Sequence, residues 1–358
     1  MDYIKKNFGF GFMRLPMIGD EVDIPQTTKM VDTFLENGFN YFDTAHGYIN
    51  GKSELALKEC LTSRYPRDRY ILTNKLSGNY FDTTEEIRPL FQQQLDACGV
   101  TYFDFYLMHA MNLTRFRRYQ ELHAFETVLK LKEEGKIRHM GISFHDKADV
   151  LDLILTECPE IEVVQIQFNY VDYEDPKVES RKCYEVCRKH NKPVIVMEPV
   201  KGGSLVNLPA AAHKIYNNLG TASPASYAIR FAAGFEGMLM VLSGMSTIDQ
   251  LEDNVGFMAN FQPLNQEELD AVHKVTAVFR NQDLIPCTNC RYCTEVCPKE
   301  IPIPDLFSAL NALRQSTSAP LIPDGSKASD CVKCGRCEEI CPQNLNIREL
   351  LLVAHAEL

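Results

Sequence analysis

The C-terminal part of the chain contains the run Cys287-Thr-Asn-Cys290-Arg-Tyr-Cys293-Thr-Glu-Val-Cys297-Pro298. A second run, Cys331-Val-Lys-Cys334-Gly-Arg-Cys337-Glu-Glu-Ile-Cys341-Pro342, follows it at an offset of 44 residues. The repeat extends past the cysteines, because Ile301-Pro-Ile-Pro-Asp-Leu-Phe307 is echoed by Leu345-Asn-Ile-Arg-Glu-Leu-Leu351. Two copies with one spacing indicate the internal duplication of a cysteine-rich unit.

The spacing within each run favours four-iron clusters. Gaps of two residues let one turn of backbone present three thiolates to one iron–sulfur cube, and in the bacterial ferredoxin pattern the Cys before Pro serves the other cube. The sequence therefore predicts two [4Fe-4S] clusters with crossed ligation. The first would be held by Cys287, Cys290, Cys293 and Cys341, and the second by Cys331, Cys334, Cys337 and Cys297.

Structural zinc is the alternative for such cysteines, since Cys₄ zinc sites often pair two-residue gaps. Zinc does not call for a third Cys two residues further on and a fourth before Pro, in duplicate. The sequence resembles ferredoxin domains over about 70 residues on the strength of this spacing. The stretch from Pro304 to Gln315 predicts a helix between the runs, so we expect a small, mostly helical ferredoxin-like domain.

Composition limits what the protein can be. The chain has 358 residues, is 45% hydrophobic and carries a formal net charge of −11, so it can bury a large core but offers no basic stripe for nucleic acid. No signal-like apolar core follows Met1, and the most apolar stretch, Tyr227 to Met245, is interrupted by Arg230 and Glu236. We expect a soluble cytoplasmic protein that binds neither nucleic acid nor membrane. The five other cysteines are expected to be apolar fillers in helices: Cys60, Cys98, Cys158, Cys183 and Cys187.

The first 260 residues or so alternate strand-like and helix-like segments, the pattern of repeated βα units. Eight parallel strands in about 250 residues favour a closed (β/α)₈ TIM barrel over an open sheet. Gly9-Phe-Gly11 lacks the third glycine of a dinucleotide-binding turn, which argues against a Rossmann fold. The predicted strands are Phe8–Phe12, Phe39–Thr44, Tyr70–Lys75, Phe103–His109, Arg138–Ser143, Val163–Phe168, Pro193–Glu198 and Leu239–Gly244.

Together these patterns predict three parts along the chain. Residues 1–265 would form the barrel, residues 266–280 a linking helix, and residues 281–358 the di-cluster domain.

Polar residues end three of the predicted strands, where a barrel of this kind places its catalytic groups. Asp43, Lys75 and His109 occupy these ends, and Tyr48 follows in the loop Thr44-Ala-His-Gly-Tyr48. Each alone has a structural explanation: a salt bridge, a core histidine or a packed ring. Together they suit a tyrosine general acid, because a phenol with a pKa near 10 needs a nearby cation to give up its proton at neutral pH. Lys75 would supply that cation, held by Asp43.

The stretches Asp43-Thr-Ala-His-Gly-Tyr48, Thr73-Asn-Lys75 and Leu107-Met-His109 resemble the Asp, Tyr, Lys, His tetrad of the aldo-keto reductases in order and spacing. This resemblance implies a carbonyl reduced by hydride from a nicotinamide, with Tyr48 as proton donor and His109 orienting the carbonyl oxygen. It also implies cofactor contacts: the carboxamide at Ser143 and Gln165, the pyrophosphate near Glu198-Pro199-Val-Lys201-Gly-Gly203, and the adenosine end at Gly244, Ser246, Gln250 and Asn254.

Three positions depart from the family pattern. Phe144 follows Ser143 where the family usually has Asn, and Met197 stands where a Tyr commonly stacks on the nicotinamide. Ser246 and Thr247 replace the basic residues that often hold the 2′-phosphate of NADP, for which Lys201 would be a substitute. The sequence therefore leaves NADP(H) and NAD(H) open.

Three functions fit these features. The first is an oxidoreductase whose barrel reduces a carbonyl or oxidises an alcohol, while the clusters exchange electrons with a redox partner protein, a ferredoxin or a flavoprotein. The second keeps the barrel catalytic and makes the clusters structural or oxygen-sensing. The third is a non-catalytic barrel that binds nicotinamide and docks a partner, against which the complete tetrad argues. The sequence does not identify the small-molecule substrate.

Overall fold

A computed structural model describes Met1, residues 3–315 and residues 322–358. Eight parallel strands close into a barrel in chain order, with the first strand paired to both the second and the last. The predicted TIM barrel is thus confirmed, with each strand within about two residues of its expected bounds. The strands are Phe8–Gly11, Tyr41–Asp43, Ile71–Leu76, Phe103–Met111, Ile137–Phe144, Val163–Gln167, Val194–Met197 and Met238–Gly244.

Helices alternate with these strands. The helix Thr84–Cys98 begins with the capping box of Thr83 and Glu86 and ends at Gly99 in the left-handed conformation. The α-helices of the first 265 residues are Ile24–Glu36, Lys52–Leu57, Thr84–Cys98, Leu113–Glu121, Ala124–Glu133, Ala148–Glu157, Ser180–Lys189, Ala210–Asn217, Pro224–Ala233 and Ile248–Ala259. A short hairpin that the sequence did not predict, Met17–Ile18 with Glu21–Val22, follows the first barrel strand.

The barrel interior is filled by side chains, as in other barrels of eight strands. Large apolar residues from neighbouring strands form this cluster, among them Tyr41, Phe105 and Met240, all completely buried. Glycine is needed where strands crowd, because a Cβ on Gly141 would lie 2.5 Å from the Val163 side chain. The five scattered cysteines are all buried and unbridged, as expected of apolar fillers.

The chain divides into two compact units. The first comprises Met1–Glu174, Val178–Pro199 and Ala225–Asn265, which contain the barrel strands. The second comprises Gln266–Leu358 together with Asp175–Lys177 and Val200–Pro224. The second unit therefore includes the predicted linking helix and also a segment that lies before residue 266 in the chain.

The second unit repeats its own backbone. From Gln266 onward its α-helices are Gln266–Arg280, Tyr292–Glu295, Ile303–Arg314, Arg336–Glu339 and Ile347–Glu357, and the last two of these begin 44 residues after the second and third. Left-handed residues recur at the same offset, at Asn289 and Lys333, Arg291 and Gly335, and Glu300 and Asn344. Five of these six left-handed residues are not glycine, so the matching positions support the duplication read from the cysteines.

Among the residues that the structure describes, none of the helices has the length and apolar character needed to cross a lipid bilayer.

Candidate active site and cluster sites

Lys75 connects the members of the predicted tetrad. Its Nζ donates to Asp43 Oδ1 at 2.7 Å, to the Thr44 carbonyl at 2.8 Å and to the Tyr48 hydroxyl at 3.2 Å. The strand register brings this about, because Asp43 pairs with Thr73 on the neighbouring strand, two residues before Lys75. The rings of Tyr48 and His109 stand edge to face with centroids 6.1 Å apart. All four predicted residues therefore meet at the C-terminal ends of three strands.

The ion pair in this site is buried. Asp43 is 3% exposed and Lys75 is completely buried. Burial raises the pKa of Asp43 and lowers the pKa of Lys75, and in each case the charge of the partner opposes the shift. A completed pair is what makes two buried charges tolerable, so each residue depends on the other. The ammonium consequently stays beside the Tyr48 phenol.

His109 is neutral in this environment. Burial, and then the charge of Lys75, hold the pKa of His109 well below 6.5. Its Nδ1 is 2.6 Å from the Ser77 hydroxyl. When that hydroxyl donates to Nδ1, the ring proton lies on Nε2, which can then donate to a carbonyl oxygen. Ser77 was not predicted from the sequence. The strand register contained the signal, because Lys75 pairs with Leu107, and Ser77 and His109 each lie two residues further along the chain.

We expect Ser77→Ala to lower the turnover number for carbonyl reduction about tenfold, because the imidazole loses the bond that fixes its tautomer. The Kd for the nicotinamide should change less than twofold. The matched control is Ser180→Ala, which removes another buried hydroxyl, bonded to the Gln167 carbonyl at 2.8 Å. Equal turnover numbers in the two variants would exclude a positioning role for Ser77.

Ser143 and Gln165, the residues expected at the carboxamide, are register partners on adjacent strands. Both are buried, and the Ser143 hydroxyl accepts from the Ala110 backbone N–H at 2.7 Å. Gln165 approaches the Asp43 carboxylate and lowers its pKa. Phe144 ends its strand as a buried ring, and Met197 ends the strand Val194–Met197 partly exposed.

The residues expected at the adenosine end lie around the end of the last strand. Gln250 Oε1 accepts from the Ser246 N–H at 2.8 Å, and Asn254 Nδ2 donates to the Ser243 hydroxyl at 3.2 Å. Asn254 is only 4% exposed, so it supports the wall of this region through Ser243. Pro199 is buried at the end of the first unit, and Lys201 is buried in the second unit.

Arg14 is a basic residue at this place that the sequence prediction missed. A Cβ on Gly244 would lie 3.2 to 3.3 Å from the Arg14 side chain, and the Ser246 hydroxyl donates to the Arg14 carbonyl at 2.8 Å. The Arg14 guanidinium is 3.9 Å from Glu198 Oε1. The available signal was its position three residues after Gly11, which ends the first strand and pairs with Gly244.

The residues at the C-terminal rim of the barrel fit a nicotinamide dinucleotide. Asp43 Oδ2 is buried and receives no hydrogen bond of good geometry from any described residue. Such an acceptor suits a hydroxyl donor from a bound molecule, because a carboxylate oxygen buried without a donor is costly. Arg14 adds the positive charge that phosphate oxygens require.

The cysteines of the second unit surround two cavities, each with about 320 Å³ of space including the part open to solvent. Cys287, Cys290, Cys293 and Cys341 line one cavity. Cys331, Cys334, Cys337 and Cys297 line the other. In each cavity, the Cys that precedes Pro in one run therefore lies with the first three cysteines of the other run.

The remaining lining suits an iron–sulfur cube. Ile303, Phe307 and Leu345 line the first cavity, and Ile301 and Leu351 line the second. These residues belong to the apolar core of the second unit. Thiols and hydrocarbon therefore make up most of both linings, to which Thr288 and Gln343 add polar groups in the first cavity and Lys299 and Arg348 add basic groups in the second. In the part of the chain that the structure describes, no three His, Cys, Asp or Glu side chains converge as ligands of a single metal ion do.

Comparison with known proteins agrees with this description. Residues 7–277 match the Aldo/keto reductase family, and residues 286–345 match the 4Fe-4S dicluster domain. An aldo-keto reductase of Mycobacterium avium is 25% identical over 275 residues, which cover 75% of this chain and 90% of that protein. The L-galactose dehydrogenase of Arabidopsis thaliana is 25% identical over 294 residues, covering 76% of this chain and 91% of that protein.

A solved structure has the same fold. The aldo-keto reductase from Klebsiella pneumoniae in complex with NADPH superposes with a TM-score of 0.61 at 17% identity, covering 75% of this chain and 90% of that one. The barrel and the family match define the class of nicotinamide-dependent oxidoreductases. The chain belongs to the aldo-keto reductase family and carries a C-terminal 4Fe-4S dicluster domain.

Proposed function

We propose that the barrel reduces a small-molecule carbonyl, or oxidises the corresponding alcohol, with Tyr48, Lys75, Asp43 and His109 as its catalytic machinery. The observation that carries this proposal is the Lys75 ammonium, which bridges Asp43 Oδ1 and the Tyr48 hydroxyl. The nicotinamide, when bound, supplies or accepts hydride at the substrate carbon.

The protein's own residues handle the proton. Tyr48 donates its phenolic proton to the carbonyl oxygen, and the Lys75 ammonium stabilises the phenolate that remains. Asp43 holds that ammonium in place. The neutral imidazole of His109 orients the carbonyl oxygen by donating a hydrogen bond, which strengthens as negative charge develops on that oxygen. Alcohol oxidation runs the same transfers in reverse.

For the second unit, we propose two [4Fe-4S] clusters with the crossed ligand sets described above. Such clusters transfer single electrons. Cys334, one of the proposed ligands, lies on the surface. This exposure favours electron exchange with a redox partner over a purely structural role for the clusters. The partner would be a one-electron carrier such as a ferredoxin, or a flavoprotein able to divide an electron pair.

A direct test starts with anaerobic purification, because the clusters are central to the proposal. Iron and sulfide are assayed first, and a panel of carbonyls and alcohols is then screened with NADH, NADPH and their oxidised forms. We expect turnover of at least one carbonyl or alcohol, with about eight iron per chain. Stoichiometric zinc with little sulfide would contradict the cluster assignment, and nicotinamide binding without any turnover would favour a sensor.

Arg14 offers a test of how the dinucleotide lies in the barrel. Its guanidinium is beside Glu198, at the start of the segment expected along the pyrophosphate, so we propose that Arg14 binds the pyrophosphate. Arg14→Met should raise the Kd of NADH and of NADPH equally, by about tenfold, because one charge-assisted hydrogen bond is lost. Arg64→Met, which breaks an exposed pair with Asp32, is the control. An effect on NADPH alone would place Arg14 at the 2′-phosphate.

A further inference from the structure

The turn Lys201–Gly203 has an unusual, closed backbone. Lys201, Gly202 and Gly203 are all left-handed, with φ of 48°, 63° and 97°. The turn bonds to itself, because the N–H groups of Gly203 and Leu205 both donate to the Val200 carbonyl, at 3.0 and 3.1 Å. A left-handed lysine persists only where surrounding structure enforces it, so this turn is rigidly determined.

This turn packs directly on the loop that carries two ligands of the first cluster. A Cβ on Gly202 would lie 2.4 Å from the Thr288 carbonyl oxygen and 2.7 Å from its Cα. Thr288 stands between Cys287 and Cys290 and is 2% exposed. Both segments belong to the second unit. Backbone therefore meets backbone here, with no side chain between to absorb a movement.

The duplication supplies an internal comparison. The residue of the second run that corresponds to Thr288 is Val332, which is 54% exposed. Likewise Cys334 is exposed, whereas the equivalent Cys290 is partly buried. Hydrophobicity alone would bury the valine and expose the threonine, and the opposite is found. The covering of the first run is thus a specific feature of that copy.

The covering segment is the continuation of the strand Val194–Met197 through Glu198 and Pro199. Glu198 pairs with Arg14, and the segment is expected to run along the pyrophosphate of the dinucleotide. A displacement of this continuous chain on binding would reach Gly202 three residues after Pro199.

We propose that the Lys201–Gly203 turn couples nicotinamide binding to the redox state of the first cluster, and not of the second. The inference rests on the proposed function, since it needs both a dinucleotide site and a four-iron cluster. The Lys201–Gly203 part of the expected pyrophosphate segment belongs to the same unit as the first cluster. An added electron makes that cluster more negative, which disfavours an anionic pyrophosphate at this turn. Binding and reduction then oppose each other, and linkage requires each to weaken the other by the same factor.

The experiment measures this factor with 2′-phospho-ADP-ribose, which has the pyrophosphate but no nicotinamide and exchanges no electrons. Its Kd is determined for the intact protein with clusters oxidised and after reduction by dithionite. We expect about three- to tenfold weaker binding to the reduced form. A tenfold ratio corresponds to a lowering of the first cluster's potential by about 59 mV for a one-electron couple. A redox titration monitored by EPR measures that shift, with signals assigned through Cys287→Ser and Cys331→Ser.

Gly202→Ala and Gly220→Ala form the matched variants, since both glycines belong to the Val200–Pro224 segment. Both substitutions place a side chain on backbone with positive φ, but only the first drives a Cβ into Thr288, because a Cβ on Gly220 would have no neighbouring atom within 4 Å. We expect Gly202→Ala to change the first cluster's EPR signal and bring the affinity ratio close to one. Gly220→Ala should retain both wild-type values.

The outcomes separate the inference from the proposed function. Equal affinity of the nucleotide for oxidised and reduced wild-type protein would overturn the coupling while leaving the nicotinamide site intact. A shift in the second cluster, or equal effects of the two glycine variants, would overturn the role of this turn. Failure of the wild-type protein to bind any dinucleotide would overturn both. The wild-type measurement needs no variant, so it decides the matter even if Gly202→Ala does not fold.

Discussion

Tyr48→Phe is expected to lower the turnover number for carbonyl reduction by about 10² to 10⁴, the usual contribution of a positioned general acid. The substitution removes one oxygen, which lies 3.2 Å from the Lys75 ammonium, and leaves the ring in place. Nicotinamide binding should change little. Steady-state kinetics in both directions and a binding titration of the same preparation measure the two quantities separately.

Tyr41→Phe is the matched control for this prediction. Tyr41 is completely buried in the barrel and its hydroxyl accepts from Thr73 at 2.7 Å, but burial and the charge of Asp43 raise its pKa well above 10. It therefore stays protonated and has no part in proton transfer. Its loss should cost about 1 kcal/mol of stability and leave turnover unchanged. Wild-type turnover in Tyr48→Phe would remove this tyrosine from the mechanism.

A substitution of Lys75 would not separate a catalytic effect from a loss of stability. Because Lys75 is completely buried, Lys75→Met would leave the Asp43 carboxylate in the protein interior without its cation. Breaking a buried pair in this way typically costs about 3 to 5 kcal/mol. A fall in turnover would then mix a lost stabilisation of the phenolate with a damaged fold, which Tyr48→Phe avoids.

The barrel was predictable because its information is local. Each strand is a short run of β-branched and aromatic residues, and each is followed by a helix with readable ends such as Thr83 and Gly99. The tetrad was predictable for a related reason. Parallel strands place their C-terminal ends at one rim, so Asp43, Lys75 and His109 had to lie close together once the strands were known.

The features that the sequence did not predict depend on contacts between segments that are far apart in the chain. The pairing of Arg14 with Glu198 and the packing of Gly202 on Thr288 join residues that no periodicity relates. Nor does composition indicate that Val200–Pro224 belongs to the same compact unit as the cysteine runs. Ser77 is intermediate, because strand register alone could have placed it beside His109.

Cysteine substitutions should divide the eight cysteines of the second unit into two crossed sets. Cys297 lines the cavity of the second run and Cys341 that of the first, so each single change to serine should destabilise the cluster of the other run. We expect iron to fall from about eight to about four per chain in Cys297→Ser. Iron and sulfide assays on anaerobically prepared protein give these numbers directly.

Double variants decide whether the ligation is crossed, because two changes at one cluster cannot remove it twice. In the crossed arrangement, Cys297→Ser with Cys331→Ser should lose no more iron than Cys297→Ser alone. Cys297→Ser with Cys287→Ser should lose nearly all of it, since one ligand of each cluster is then missing. Uncrossed ligation predicts the opposite pattern in the same two proteins. Cys158→Ser, at a buried cysteine far from both runs in sequence, should keep the full iron content.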